Sequence, residues 1–129
     1  LHAGLTWIKE TGMEQIRTHE LKLTEQFIHR ILNFDSQGER VRIIGKKDIQ
    51  NRTGVVSIQT PGQELSEIAF ELDDTYGIMT RVGLHCAPSA HKTLGTYPTG
   101  SIRFSFGWYN TEEDVMQAIE ALKALTGAI

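Results

Sequence analysis

Most of the residue types that could do chemistry in this chain gather around its single cysteine, Cys86. A cysteine near cationic groups has a stabilised thiolate, and the thiolate is the nucleophilic form of the side chain. The pattern therefore predicts a reactive cysteine, although a free cysteine is as often a small buried apolar residue. The Pro- and Gly-rich surroundings favour the reactive alternative. The basic side chains around the thiol are those of Arg81, His85, His91, Lys92 and Arg103.

The same segment offers the residue types of a zinc site. Zinc binds histidine nitrogen and cysteine sulfur, which His85, Cys86 and His91 supply. Structural zinc sites normally have four ligands, and no fourth candidate is close in the sequence. We therefore expect no metal site in this chain.

Arg103 lies in the middle of an otherwise apolar run, with serines two residues away on either side. In a strand, residues two apart share a face, so Arg103 and the serines have the pattern of a solvated sheet face. A second interpretation is a guanidinium fork directed at a substrate carboxylate, a geometry that arginine matches well. The spacing alone leaves both interpretations open.

Hydrophobic periodicity predicts the elements that must position these residues. Apolar side chains recur every three or four residues after Gly12, which interrupts a first helical stretch, and they predict an amphipathic helix over residues 13–33. Thr111 begins a last helix, because it can cap the chain and acidic residues follow it. The predicted strands cover residues 41–45, 53–60, 78–82 and 101–107, and a further helix covers residues 64–76.

The order of these elements predicts an α+β fold. We expect a small, mostly antiparallel sheet of about four strands, covered by helices on one face and preceded by the long helix. Residues 83–100 form a predicted loop, and long loops of this kind are usually functional or disordered. We divide the chain into connecting helices over residues 1–34 and an α+β domain over residues 35–129.

Composition excludes several classes of protein. The 129 residues carry a net charge of −3, whereas a strongly electrostatic nucleic-acid binder usually has a basic excess. No apolar run approaches the roughly 20 residues of a membrane-spanning helix, so we expect no membrane segment. A single cysteine allows no disulfide within the chain, and we expect a cytoplasmic, reducing location.

Two segments carry a resemblance to a known family. Residues 101–113 resemble the stretch around the arginine that binds the substrate carboxylate in cysteine desulfurases and selenocysteine lyases. These are class V, fold-type I enzymes that depend on pyridoxal phosphate, and the similarity covers nearly the whole chain as their C-terminal small domain. The RxGxHCA motif of the same enzymes is matched by Arg81-Val82-Gly83-Leu84-His85-Cys86-Ala87-Pro88.

The resemblance implies a role for each candidate site residue. Cys86 matches the cysteine that takes sulfur or selenium from the substrate and becomes a persulfide, with alanine as the other product. Arg103 matches the arginine that binds the α-carboxylate, and Arg81 and His85 match substrate-side positions whose roles are less defined. The implied substrate is L-cysteine or L-selenocysteine, and the implied partners are a protein that accepts sulfur and a second copy of the longer enzyme.

The resemblance also implies what this chain does not contain. Family members hold pyridoxal phosphate through a lysine in a preceding large domain, and nothing here resembles the Ser-x-His-Lys run around that lysine. We do not assign the role to Lys92, and we expect no cofactor on this chain and no desulfurase activity from it alone. Two alternatives stay open: a class V aminotransferase domain with a non-essential cysteine, and a non-catalytic domain that carries a persulfide.

Overall fold

The computed structural model describes residues 1–127, which contain helices and one four-stranded sheet. The helices of this part are α1 (His2–Thr11), α2 (Met13–Phe34), α3 (Leu65–Asp74), α4 (Pro88–Leu94) and α5 (Glu112–Thr126). The strands are β1 (Arg42–Ile44), β2 (Val55–Gln59), β3 (Arg81–Gly83) and β4 (Ser101–Ser105).

Every pairing in the sheet is antiparallel, and the strand order is β1-β2-β4-β3. Alternate residues of the strands enter the core on one face, where they pack with apolar residues of α2, α3 and α5. The opposite face carries mostly polar residues, such as Ser57, Gln59 and Arg103, together with Ile44 and Val55. The predicted α+β class and the four-stranded antiparallel sheet are confirmed. The inward residues of the two central strands are Val56, Ile58, Ile102 and Phe104.

Helix α2 begins after Gly12, whose φ of 92° suits glycine and separates α2 from α1. Its C-terminal half packs on the sheet, and the ring of Phe27 lies 4.9 Å from that of Phe104 between centroids. Its N-terminal half is open, with Met13 68% exposed. The predicted helix over residues 13–33 is therefore confirmed, but only half of its apolar stripe is covered in this chain.

Apolar residues of α2 and of the strands pack in the same core. The division of the chain at residue 34 stays a prediction. Residues 128 and 129 of its second part lie outside the described residues. Within residues 1–127, no helix combines the length and the apolar character needed to cross a bilayer.

Two sequence-based expectations about the region around Cys86 were wrong. Residues 83–100 are not a continuous loop, because they contain α4. This helix begins at Pro88 and is followed by a left-handed Gly95, and both residue types are common at helix ends. The third strand covers Arg81–Gly83 rather than residues 78–82. Residue 78 instead donates its N–H to the carbonyl of Leu72 at the end of α3, so it closes that helix and does not enter the sheet.

A single carboxylate just after α2 sets the path of the chain that follows. Asp35 accepts hydrogen bonds from the backbone N–H groups of Gly38 and Glu39 at 3.1 Å, and of Arg40 and Val41 at 2.7 Å. Burial by itself raises the pKa of Asp35, but the four backbone donors outweigh it and lower that pKa below its usual value. The ionised carboxylate thus sets the path of the chain into β1.

Replacement of Asp35 by alanine leaves these backbone donors without their charged acceptor. We expect Asp35→Ala to lower the free energy of unfolding at pH 7 by about 2–3 kcal/mol. The control Asp74→Ala removes an exposed carboxylate at the end of α3 and is expected to change it by less than about 0.5 kcal/mol. Urea denaturation monitored by circular dichroism measures both.

The difference in unfolding free energy between wild type and Asp35→Ala depends on pH. Because the folded-state pKa of Asp35 is lowered, its stabilisation is complete above the unfolded-state pKa of about 3.9. It is lost as the pH falls through the lower folded-state pKa. The difference between wild type and Asp35→Ala is expected to shrink at acid pH, and a constant difference would contradict this account.

Candidate functional site

Two arginines face each other across one rung of the sheet. In the β3–β4 pairing Arg81 lies directly opposite Arg103, and in the β2–β4 pairing Ser57 lies opposite Arg103 on its other side. Like charges at directly opposite positions of an antiparallel pair are destabilising. Because alternate residues of β4 enter the core, both guanidinium groups lie on the face of the sheet opposite the helices.

No carboxylate of the described residues neutralises this arginine pair. Neither Arg81 nor Arg103 forms an ion pair within residues 1–127, and the Nε of half-buried Arg103 has no hydrogen-bond partner there. Adjacent guanidinium groups without acids form a site for an anion, and their planar forks suit a carboxylate. The structure places Arg103 on the face away from the core, and its role as a carboxylate ligand stays a prediction.

Cys86 lies at the tip of a tight turn that begins where β3 ends. The N–H of Ala87 donates to the carbonyl of Leu84 at 2.9 Å, and the residues between them have positive φ angles, 52° for His85 and 58° for Cys86. Positive φ at both central residues is the pattern of a type I′ turn, which normally takes Asn and Gly. Cys86 is exposed, so the buried interpretation of the cysteine is wrong.

The ring of His85 is packed against the first residue of β4. Its Nε2 lies 3.1 Å from the carbonyl oxygen and 3.2 Å from the Oγ of Ser101, and its Nδ1 is buried without a partner in the described residues. Burial and then the charge of Arg103 lower the pKa of His85, with smaller effects of His91 and Arg81, and the hydrogen bond to Ser101 opposes them. His85 is therefore uncharged near neutral pH.

The other two basic residues of this segment lie on α4 and contact residues that follow that helix. His91 is buried on α4, where its Nδ1 lies 2.6 Å from the Oγ1 of Thr96. Its ring centroid is 5.9 Å from that of His85. The Lys92 ammonium group lies 5.0 Å from the centroid of the Tyr97 ring. In the part of the chain that the structure describes, no three His, Cys, Asp or Glu residues form a group that could hold a metal ion.

A close backbone contact joins the two ends of the segment that carries Cys86. A Cβ added to Gly100, where φ is +82°, would lie 2.3 Å from the carbonyl oxygen of Gly83. Such a contact admits only glycine. The Nε2 of Gln59 donates to the carbonyl of Gly100 at 2.8 Å and ties the same point to β2. Sequence reasoning noted the glycines only as loop residues, although a glycine at each end of a long segment is a usable signal of close approach.

The residues of this chain do not fit covalent binding of pyridoxal phosphate. A Schiff-base lysine has to be desolvated or placed beside another cation so that its amine loses its proton. Every lysine lies within the described residues and none is buried.

Comparison with known proteins agrees with the motifs. Residues 1–118 match the family described as aminotransferase class-V. A probable cysteine desulfurase of Methanothermobacter thermautotrophicus is 31% identical over 128 residues, which are 98% of this chain and 30% of that protein. A probable cysteine desulfurase of Staphylococcus epidermidis is 36% identical over 124 residues, which are 95% of this chain and 28% of that protein. The chain spans less than a third of the length of these relatives.

Solved structures give the same result for the fold. The apo structure of a cysteine desulfurase from Thermococcus onnurineus matches 98% of this chain and 30% of its own, with a TM-score of 0.87 and 31% identity. A cysteine desulfurase from Escherichia coli matches 95% of this chain and 28% of its own, with a TM-score of 0.72 and 24% identity, and supports the fold alone. The matched family, the sheet and the motifs agree, and this chain belongs to the class-V aminotransferase family.

Proposed function

We propose that this chain is part of a longer, pyridoxal phosphate-dependent cysteine desulfurase or selenocysteine lyase. In that enzyme Cys86 accepts the sulfur or selenium atom, Arg103 binds the α-carboxylate of the substrate, and Arg81 and His85 flank the cysteine on the substrate side. The observation that carries the proposal is the exposed thiol on a left-handed turn that follows β3, in a strand pair whose two arginines form no ion pair among the described residues. The similarity to cysteine desulfurases supports the same reaction class.

The proposed reaction converts L-cysteine and the Cys86 thiol into L-alanine and a Cys86 persulfide. A bond forms between Sγ of Cys86 and the substrate sulfur, and the bond between that sulfur and the substrate Cβ breaks. The electron pair of the broken bond stays on carbon, which takes up a proton. The fork of Arg103 holds the carboxylate during this change, and the charge of Arg81 adds to the attraction.

The remaining parts of the enzyme belong to the longer protein in this proposal. Pyridoxal phosphate is held outside this chain, so the chain alone is inactive. The longer protein acts as a homodimer in the reducing cytoplasm and passes the persulfide sulfur to the thiol of a protein acceptor. The absence of a buried lysine among the residues described here supports the assignment of the cofactor to the other part.

Mass spectrometry of the longer enzyme tests the role of Cys86. After reconstitution with pyridoxal phosphate and addition of L-cysteine, we expect one extra sulfur atom on the peptide that contains Cys86, together with alanine. In Cys86→Ala both the extra sulfur and alanine formation from cysteine are expected to fall at least about 100-fold, because the nucleophile is gone. The isolated chain under the same conditions is expected to form neither product.

Other results would contradict the proposal in distinct ways. Cofactor turnover that is unchanged in Cys86→Ala, with no persulfide, would indicate an aminotransferase in which the thiol is not needed. A persulfide that forms only when another desulfurase supplies the sulfur would indicate a carrier domain.

Arginine at position 103 is expected to be required as a fork and not only as a charge. Arg103→Lys keeps the charge but loses the paired donors, so we expect kcat/KM for L-cysteine to fall about 10- to 100-fold. Arg103→Gln is expected to lose more. The control Arg42→Lys, at an exposed position of β1, is expected to stay within twofold of wild type. Steady-state kinetics of the longer enzyme measure all three, and equal effects at positions 42 and 103 would exclude a specific role.

The left-handed conformation of Cys86 predicts that this side chain lowers the stability of the fold, although the proposed reaction requires it. In the left-handed region a side chain costs about 1–2 kcal/mol, which glycine avoids. We expect Cys86→Gly to be about 1 kcal/mol more stable than Cys86→Ala in urea denaturation, although neither variant can form a persulfide. At Ala90, inside α4, the order reverses, and Ala90→Gly is expected to cost about 1 kcal/mol. Equal stability of the two Cys86 variants would contradict a left-handed residue.

A further inference from the structure

We propose that His85 is a positioning residue for Cys86: its neutral ring donates an Nε2–H hydrogen bond to the Ser101 carbonyl, and this bond holds the Cys86 turn against β4. The hydrogen bond and its effect on the turn are properties of this chain. Only the consequence for sulfur transfer rests on the proposed function.

The acceptor decides which nitrogen of His85 carries the proton. The Nε2 lies 3.1 Å from the Ser101 carbonyl oxygen, and a carbonyl oxygen can only accept a hydrogen bond. If Nε2 were unprotonated, its lone pair would face the carbonyl oxygen and the two would repel each other. The ring is therefore protonated on Nε2, and the Ser101 hydroxyl at 3.2 Å makes a second contact with the same atom.

The opposite side of the ring explains why it stays neutral. With the proton on Nε2, Nδ1 keeps a lone pair, and this atom is buried without a partner among the described residues. Protonation of Nδ1 would bury an N–H group with no acceptor, close enough to Arg103 and Arg81 for their charges to oppose it. The same arguments make His85 a poor proton acceptor for the thiol, so its role is geometric.

The hydrogen bond stabilises a turn that the chain would otherwise disfavour. His85 and Cys86 both have positive φ angles, which cost free energy for residues other than glycine. Ser101 is a firm anchor, because it is buried and pairs with Gly83 in the β3–β4 ladder. Cys86 is exposed and makes no hydrogen bond of its own within residues 1–127, so its position depends on its neighbour.

Three variants of His85 distinguish the position of the hydrogen-bond donor from the size of the side chain. The side-chain amide nitrogen of glutamine reaches the place of the imidazole Nε2, whereas that of asparagine corresponds to Nδ1 and falls short of Ser101. The reporter is hydrogen exchange of the Ala87 amide, which closes the turn by donating to Leu84. The control amide is that of Val56 in β2, which reports on global opening.

We expect exchange of the Ala87 amide to accelerate about tenfold in His85→Ala, the loss expected for one hydrogen bond. A smaller acceleration is expected in His85→Asn, because asparagine loses the bond to Ser101 but suits the left-handed angles of this turn. In His85→Gln the exchange rate is expected to stay within threefold of wild type. Exchange at Val56 is expected to accelerate by no more than the same factor, because the hydrogen bond is lost on global unfolding as well. Acceleration at Val56 without acceleration at Ala87 would indicate a destabilisation elsewhere in the fold and would overturn the positioning role. Ser101→Ala, which keeps the carbonyl and removes only the hydroxyl, is expected to behave as wild type.

The tautomer is measured directly by a long-range proton–nitrogen correlation spectrum of the chain labelled with nitrogen-15. At pH 7 we expect His85 to show a protonated Nε2 and an unprotonated Nδ1. The opposite tautomer, a doubly protonated ring, or unchanged Ala87 exchange in His85→Ala would each overturn the proposal. Failure of His85→Gln to restore the turn would overturn the assigned donor.

In the longer enzyme, a displaced thiol affects the transfer step and not the binding of the carboxylate. We expect His85→Ala to lower kcat for persulfide formation about tenfold with KM for L-cysteine nearly unchanged, and His85→Gln to recover most of kcat. A rise in KM without a change in kcat would make His85 a substrate ligand and overturn the positioning role. If no persulfide forms even in wild type while the exchange results hold, the proposed function fails and the role of the hydrogen bond stands.

Discussion

Strand β4 lies between β2 and β3, and its hydrogen-bond register with both strands decides which side chains enter the core. Ile102 and Phe104 are buried against the helices, so Arg103 between them must lie on the opposite face. A slip of one residue would place the guanidinium in the core and the apolar residues in solvent, which the hydrophobic effect forbids. The burial of two apolar side chains thus fixes the face of Arg103, and the observed register then places it opposite Arg81 and places Ser101 beside His85.

The features assigned to function are those that cost this fold free energy. Arg81 and Arg103 repel each other across their rung, and His85 and Cys86 adopt left-handed backbone angles. Neither feature improves the core, and they lie at opposite ends of the β3–β4 ladder, the arginines on its first rung and the turn just after Gly83 on its last. Local violations of folding rules that are compensated elsewhere are characteristic of functional sites. Here the compensation is the apolar layer between the sheet and helices α2, α3 and α5.

Local sequence patterns predicted the elements that depend on neighbours in the chain. The stripe of α2 and the capping box of Thr111 and Asp114 at the start of α5 are of this kind. Motif resemblance selected Cys86 and Arg103 without any geometry. The four-donor shell of Asp35 and the bond between His85 and Ser101 were not predictable, because each joins groups whose meeting depends on the folded path of the chain. Helix α4 was missed for a different reason: its Pro and Gly ends were interpreted as loop residues.

The contact between Gly83 and Gly100 has a consequence for the evolution of the site. The backbone closes on itself there, so residues 84–99 form an insert whose ends are joined independently of its length. Loop-closure entropy grows slowly, by about 0.6 kcal/mol for each doubling of a flexible loop. Additions or exchanges within the insert therefore leave the strand ladder and its arginine rung in place. The segment that carries Cys86 can therefore change in sequence and length while the pairing of Arg81 with Arg103 stays the same.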